Sequence, residues 1–349
     1  MARLDLNFFS RYRSAMRSRF TFWVLFIALM ALLPFRAPAP LVYIPGEGWY
    51  YERYGENASW QRSRAKDQLA VAEQAFTNGD YSVTLHAAHR IMRVWPLSDY
   101  APRAEYLVGR SLEATRKDEP AFNAYQSIIQ KYPRTDSYEE VLWRQYGIGN
   151  RFLAGEWFHL WNFIPIGPSM DETAKMFSEI VTNGPYSDVA PHAQLRIGAA
   201  REKQKDYDEA VRAYEIAADR YHDQPVIAAD AVYRQGVCYE KQAVTAEYDQ
   251  STAGKAIAAY TDFITLFPDD KRASDAQKSI VRLKAEQVLG NFKIAQFYEK
   301  NRTLTEQQRC VGAVVYYNAV LQLDPNSVYA PEARQRIEAL KPRLQPPSS

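Results

Sequence analysis

Cysteine and histidine are scarce in this chain of 349 residues, with two of the former, Cys238 and Cys310, and five of the latter. No Cys-x-x-Cys pair occurs, so the usual spacing of a zinc site is missing. Two cysteines allow at most one disulfide, and only in an oxidising compartment. Cys238 follows Gly236 on a helix, where a small buried residue fits. Only His86 and His89 share a helix face, and no Cys or carboxylate joins them at ligand spacing. No metal site and no cofactor is therefore expected. A phosphate-binding glycine loop and a nucleophile elbow are also missing, which leaves no candidate catalytic residue. The 43 Lys and Arg nearly balance the 41 Asp and Glu, and no long basic block follows the N-terminus. Nucleic acid and small-molecule substrates are accordingly not expected partners.

What the chain does have is a recurring unit. A small residue is followed four positions later by an aromatic, and twelve positions on by a Pro or another break. The clean copies are Ala121, Tyr125, Pro133; Ala210, Tyr214, His222; Ala256, Tyr260, Pro268; and Ala313, Tyr317, Pro325. Thr84, Ala88, Pro96 and Thr173, Phe177, Pro185 are looser copies. Gly109 and Gly198 lie twelve residues before Ala121 and Ala210. This is the tetratricopeptide spacing, two antiparallel helices per unit. The small residue marks a close helix crossing, the aromatic one turn on fills the groove beside it, and the glycine lets the partner helix approach. The Pro ends the second helix, because it lacks an N–H and clashes with the preceding turn. Many of the 24 tyrosines fall at these positions, where packing explains them.

The expected fold is all-α, a tetratricopeptide solenoid of about six helix pairs over residues 59–340. The pairs are Ser59–Asn78 with Tyr81–Val94, Ala101–Arg116 with Pro120–Lys131, and Ser137–Leu153 with Met170–Thr182. Ala190–Gln204 with Tyr207–Tyr221, Ile227–Ala243 with Gly254–Leu266, and Ala273–Glu299 with Gln308–Leu323 complete them. A helix at about Ser327–Leu340 caps the last apolar face, in which Tyr316, Tyr317 and Tyr329 share, and residues 341–349 form a disordered tail. Such stacks present a long concave face lined by first helices, which favours polypeptide binding over catalysis. Counting from Gly109, the groove-facing positions are Arg103, Tyr106 and Arg110. Two cations beside an aromatic suit a chain end or a carboxylate; otherwise they are simply solvated. An insert at Ala154–Ser169 carries Trp157, Phe158, Trp161, Phe163 and Ile164 on a loop. Trp157 and Trp161 are a contact for a partner or for lipid, unless the insert folds back to plug the groove. Arg334 and Arg336 lie on the charged face of the last helix and are candidates for partner docking.

The N-terminus is different. Arg3, Arg11, Arg13, Arg17 and Arg19 precede an apolar run, Phe20–Phe35, and Ala37-Pro38-Ala39 has the look of a cleavage site. Residues 1–39 therefore read as a signal peptide or signal anchor. The run is short against the roughly 20 residues of a spanning helix, and Pro40 disfavours the cut, so both readings stand. If uncleaved, residues 20–35 provide a membrane attachment. Either way the basic end stays in the cytoplasm and the repeats are exported across the inner membrane. Residues 40–58 read as a linker with a turn at Pro45-Gly46-Glu47-Gly48, and Trp49, Tyr50 and Tyr51 are available to dock on the first pair.

Several stretches resemble the BamD (YfiO) branch of tetratricopeptide proteins, a component of the β-barrel assembly machinery. They are Ala190–Gly198, Arg201–Ala210, Ile294–Lys300, Val314–Val320 and Tyr329–Arg334. The resemblance covers roughly residues 60–340 and is strongest towards the C-terminus. It implies a non-catalytic periplasmic scaffold that binds partner subunits of the assembly machinery, through its C-terminal repeats, and unfolded outer-membrane proteins. The family is usually lipid-anchored through a Cys just after the apolar run; here the first Cys is Cys238, so that anchor does not carry over. The alternative is an adaptor of another envelope system, such as cell-division or peptidoglycan machinery.

Overall fold

The computed structural model describes residues 41–44, 48–51, 60–160, 164–245 and 250–344. Thirteen α-helices run through the described residues. They form six antiparallel pairs: α1 (Ala65–Thr77) with α2 (Tyr81–Val94), α3 (Ala101–Ala114) with α4 (Asp118–Lys131), and α5 (Tyr138–Ala154) with α6 (Met170–Asn183). The next are α7 (Ala190–Lys203) with α8 (Tyr207–Arg220), α9 (Pro225–Thr245) with α10 (Gln250–Leu266), and α11 (Ala273–Lys300) with α12 (Glu306–Leu323). Helix α13 (Ala330–Leu340) closes the stack. Each helix packs on the next in sequence, and α1 touches α3, α5 touches α7, and α7 touches α9. The odd-numbered helices thus form one continuous layer, as a solenoid requires. The core is correspondingly a string of clusters. One joins Tyr106, Tyr125, Ile148, Phe177 and Ala193 across three pairs.

Local chemistry sets the turns. Within the first, second and fourth pairs the first helix ends on a left-handed residue, Gly79, Arg116 or Lys205, at φ 77°, 59° and 65°. The following N–H then reaches back to Ala75, Leu112 or Arg201 at 2.9–3.0 Å, satisfying a carbonyl the helix end would orphan. Between pairs, the second helices stop just before Pro96, Pro133, Pro185, Pro268 and Pro325, as expected, since the residue before Pro is barred from the helical region. Two successive turns follow. Ser98 N–H bonds to the Trp95 carbonyl and Ala101 N–H to Ser98; Ser187 and Ala190 repeat this, as do Ser327 and Ala330, all at 3.0–3.2 Å.

The glycines have a different role from the one the spacing suggests. A Cβ at Gly109 would stand 2.7 Å from Cδ1 of Tyr125, one at Gly198 2.7 Å from Cδ1 of Tyr214, and one at Gly236 2.7 Å from Cδ1 of Tyr260. Gly149 meets Phe177 at 2.8 Å in the same way. The missing side chain makes room for the aromatic ring rather than for the partner helix. In the sixth pair the roles are exchanged: Gly312 of α12 seats Tyr298 of α11.

The insert in the third pair is not a loop. After Gly155, at φ 116°, strands β3 (Phe158–Leu160) and β4 (Ile164–Gly167) pair antiparallel, and the Ser169 side chain caps α6. Inside the stretch expected as a linker, β1 (Leu41–Ile44) pairs with β2 (Gly48–Tyr51). The Pro45–Glu47 turn and the side chains of Trp49, Tyr50 and Tyr51 lie outside the described residues, as do residues 1–40 with the apolar run. At the other end a 3-10 turn, Lys341–Arg343, continues α13, and Leu344 packs on the last cluster, so order extends four residues into the expected tail. No helix among the described residues is long and apolar enough to cross a membrane. Both cysteines are buried and free; burial pushes the Cys238 thiol up to about 12. They do not form the disulfide that two cysteines allow.

Candidate protein-binding groove

Three of the rings seated on a glycine also carry a polar tip. Tyr125 donates to Glu113 at 2.9 Å, Tyr214 to Glu202 at 3.1 Å and Tyr260 to Glu240 at 2.5 Å. The acceptor stands one helical turn after the glycine, so Gly-x-x-x-Glu on the first helix takes the ring with one residue and the hydroxyl with the other. In the sixth pair Ala295 replaces the glycine, and Tyr317 donates to Glu299 at 3.0 Å. A hydrogen bond to a charged acceptor is worth about 1.5–3 kcal/mol. The same carboxylates take cations from the next odd-numbered helix. Arg144 and Arg151 of α5 bond to Glu113 at 3.3 and 3.4 Å. Lys241 of α9 bonds to Glu202 at 2.6 Å, Arg282 of α11 to Glu240, and Arg336 of α13 to Glu299 at 3.2 Å. In the third pair Phe177 has no hydroxyl, and Leu153 holds the acceptor position.

This ladder decides where the expected contact residues sit. Arg103, Tyr106 and Arg110 come together, but on one another. Arg103 bonds to Glu73 at 3.1 Å and lies 5.2 Å from the Tyr106 ring. Arg110 lies 5.3 Å from the Phe76 ring and donates to the Tyr106 hydroxyl at 3.0 Å. Tyr106 is only 2% exposed, and its hydroxyl donates to Glu140. Arg336 is a rung of the ladder, and Arg334 donates to the Pro325 carbonyl at 2.8 Å. Reversing both charges would therefore disturb the cap as well as any docking face. In the insert the two readings divide between neighbouring residues. Phe158 folds back, 4% exposed and stacked 4.2 Å from Phe152, while Trp157 is 53% exposed. Trp161 lies outside the described residues.

The open space lies further along the same layer. A cleft of about 660 Å³ spans three odd-numbered helices and the turn before a fourth, lined by Tyr146 of α5, His192 and Arg196 of α7, Val226 and Asp230 of α9, and Asp270, Lys271 and Arg272 just before α11. Its wall on one side is aromatic, Tyr146 and His192, and Trp143 beside the lining packs edge-on against Tyr146 at 5.5 Å and tilts over His192 at 5.7 Å. Its acids are already matched. Arg272 grips Asp270 with two nitrogens, at 3.0 and 2.8 Å, and reaches Asp230 at 2.7 Å. That grip holds the Asp270 carboxyl down to about 2. Arg234 takes the other oxygen of Asp230 at 3.0 Å. Arg196 bonds only to the Tyr146 hydroxyl, at 3.2 Å, and among the described residues neither Arg196 nor Lys271 has an acidic partner.

Counting from the glycine in the second pair alone missed these residues. The count that gives Arg103 and Tyr106 from Gly109 gives Trp143 and Tyr146 from Gly149, and His192 and Leu195 from Gly198. The same count was available in the third and fourth pairs. What only the structure adds is that Tyr106 is closed over and the cleft is open.

The comparisons with known proteins fit this architecture. Residues 168–324 match the family described as YfiO, outer membrane lipoprotein, and residues 103–135 match a tetratricopeptide repeat. The chain is a BamD/YfiO-like tetratricopeptide-repeat protein. A curated relative, outer membrane protein assembly factor BamD of Caulobacter vibrioides, is 26% identical over 167 residues. That alignment takes in 48% of this chain, and the BamD-like chain spans about half, 52%, of the relative. Among solved structures, the C-terminal part of a repeat protein from Cytophaga hutchinsonii is 15% identical over 79% of this chain and 90% of its own, with a TM-score of 0.37. MamA from Desulfovibrio magneticus is 11% identical over 60% and 98%, with a TM-score of 0.34. Neither likeness bears on function.

Proposed function

We propose that this BamD-like solenoid is a non-catalytic scaffold of the bacterial envelope. It holds partner subunits of the outer-membrane β-barrel assembly machinery and receives unfolded clients outside the inner membrane. The observation that carries the reading is the YfiO match over residues 168–324. Those residues contain nearly all of the open cleft, so the segment most like the family is also the one with room for another chain. Trp157, exposed on its hairpin, serves as a second contact. Arg334 on the last helix, and the part-exposed guanidiniums of Arg103 and Arg110 around the buried Tyr106 of the second pair, serve as further contacts.

Affinity purification of the full chain from crosslinked envelopes tests this. A β-barrel protein with periplasmic domains should co-purify, together with unfolded barrel precursors. Recovery of cell-division or peptidoglycan proteins in their place would refute the assembly role. Mass spectrometry of the mature N-terminus reads the membrane attachment directly.

A further inference from the structure

We infer that the cleft between α5 and α11 binds an extended peptide carrying two acidic side chains with an apolar residue between them. The inference rests on the scaffold reading and gives its partner a chemistry. The charge count supports it. Of the four cations lining the cleft, Arg234 and Arg272 are committed to Asp230 and Asp270. Arg196 and Lys271 remain, a local surplus of two positive charges that make no ion pair among the described residues, Lys271 acting on Asp270 only through space. A cleft that matches both of its own acids and leaves two cations open is complementary to an anionic ligand.

The positions of those cations choose between sources of negative charge. Arg196 projects from α7 and Lys271 from the turn before α11, with α9 between them. A chain terminus brings one carboxylate and would leave one cation unmet. Two side chains on an extended strand can meet both. Between them stands Val226 at the start of α9, 81% exposed, and the aromatic wall ends in Trp143, 41% exposed. Apolar side chains left this open are covered on association. The cleft also runs across three helices to the turn before a fourth, which suits a peptide passing through more than one that stops inside.

Fluorescence anisotropy on the full chain tests this with three labelled decapeptides. The first is capped at both ends and carries two Glu four residues apart with Phe midway, so that all three face one side of an extended strand. The second replaces both Glu by Gln. The third is the Gln peptide with a free C-terminal carboxylate. The Glu peptide should bind and weaken as salt rises, and the other two should bind at least about tenfold more weakly. Arg196→Gln and Lys271→Gln should each cost about fivefold in affinity, an exposed charge pair being a modest contributor. Arg196→Lys and Lys271→Arg should restore most of it, and Lys278→Gln, outside the cleft, should change nothing. Melting curves identify any variant that misfolds, and the charge-keeping variants then carry the comparison. Equal binding of the Gln peptide, tighter binding of the free-ended one, no binding at all, or indifference to both Gln variants would overturn the inference. Peptide binding reads this site alone, whereas envelope capture reads the scaffold role, so the two can fail separately.

Discussion

Replacing Gly198 by Ala is the sharpest test of the packing described above. In an open helix this change helps by about 1 kcal/mol, because Gly loses more backbone freedom on folding. Here the new methyl would stand 2.6 Å from Cζ and 2.7 Å from Cδ1 of Tyr214. That ring is fully buried, and its hydroxyl is tied to Glu202 at 3.1 Å. The ring must move, which incurs an overpacking cost of about 1–3 kcal/mol. Moving it also lengthens a bond worth about 1.5–3 kcal/mol. Set against the gain in helix propensity, a net loss of ~2 kcal/mol is expected, or roughly 3 °C in Tm for a chain of this size. Gly147 is the control. It lies on α5 with nothing within 4 Å of a would-be Cβ, so Gly147→Ala should stabilise by about 1 kcal/mol. Both are read by circular dichroism melts of the full chain, with urea titration as a check. If Gly198→Ala melts at or above the parent temperature, the ring-on-glycine account is wrong.

Burial raises the pKa of Tyr125, Tyr214, Tyr260 and Tyr317, and the neighbouring carboxylates Glu113, Glu202 and Glu299 add to it for three of them. The folded chain keeps these phenols protonated where the unfolded chain ionises, near pH ~10. Stability should thus be full below that pH and fall above it; a flat alkaline melting profile would refute this. Trp157→Ser should leave Tm unchanged, whereas Phe158→Ala next to it should cost about 3–5 kcal/mol, and melts of the two variants check it. Lys205→Gly relieves a left-handed residue at φ 65° and should raise stability by about 1 kcal/mol, measured by denaturant titration.

The repeat spacing carried the fold because it is local: a small residue, a ring one turn on and a Pro can all be counted along one pair of helices. The acceptor was as countable. Glu113, Glu202 and Glu240 stand at a fixed step from Gly109, Gly198 and Gly236. They escape a reading that takes acids on helices as solvated, since only the folded chain brings the Tyr hydroxyl to them. The hairpin at 158–167 was hidden for another reason. Its strands are too short for alternation to show, and its aromatics are equally compatible with a loop. The cleft is the least local feature of all. Arg196 and Lys271 look like any surface cations until the pairing of Asp230 and Asp270 with other partners leaves them over.

The ladder is incomplete at two joints: between the first and second pairs Glu73 takes Arg103 but, among the described residues, no ring, and between the third and fourth it has no carboxylate at all, which has a mechanical consequence. Between the second and third pairs, the fourth and fifth, the fifth and sixth, and the sixth and the cap, one carboxylate grips both a ring of its own pair and a cation of the next. Between the third and fourth pairs Leu153 offers only its backbone carbonyl, to Lys203 at 2.6 Å. A rod assembled this way does not yield evenly. When the rod is stretched from its ends, that joint is held by the core cluster running from Phe177 to Ala193 and by Arg201 on Asp171, so its resistance rests on packing rather than on a carboxylate shared between ring and cation.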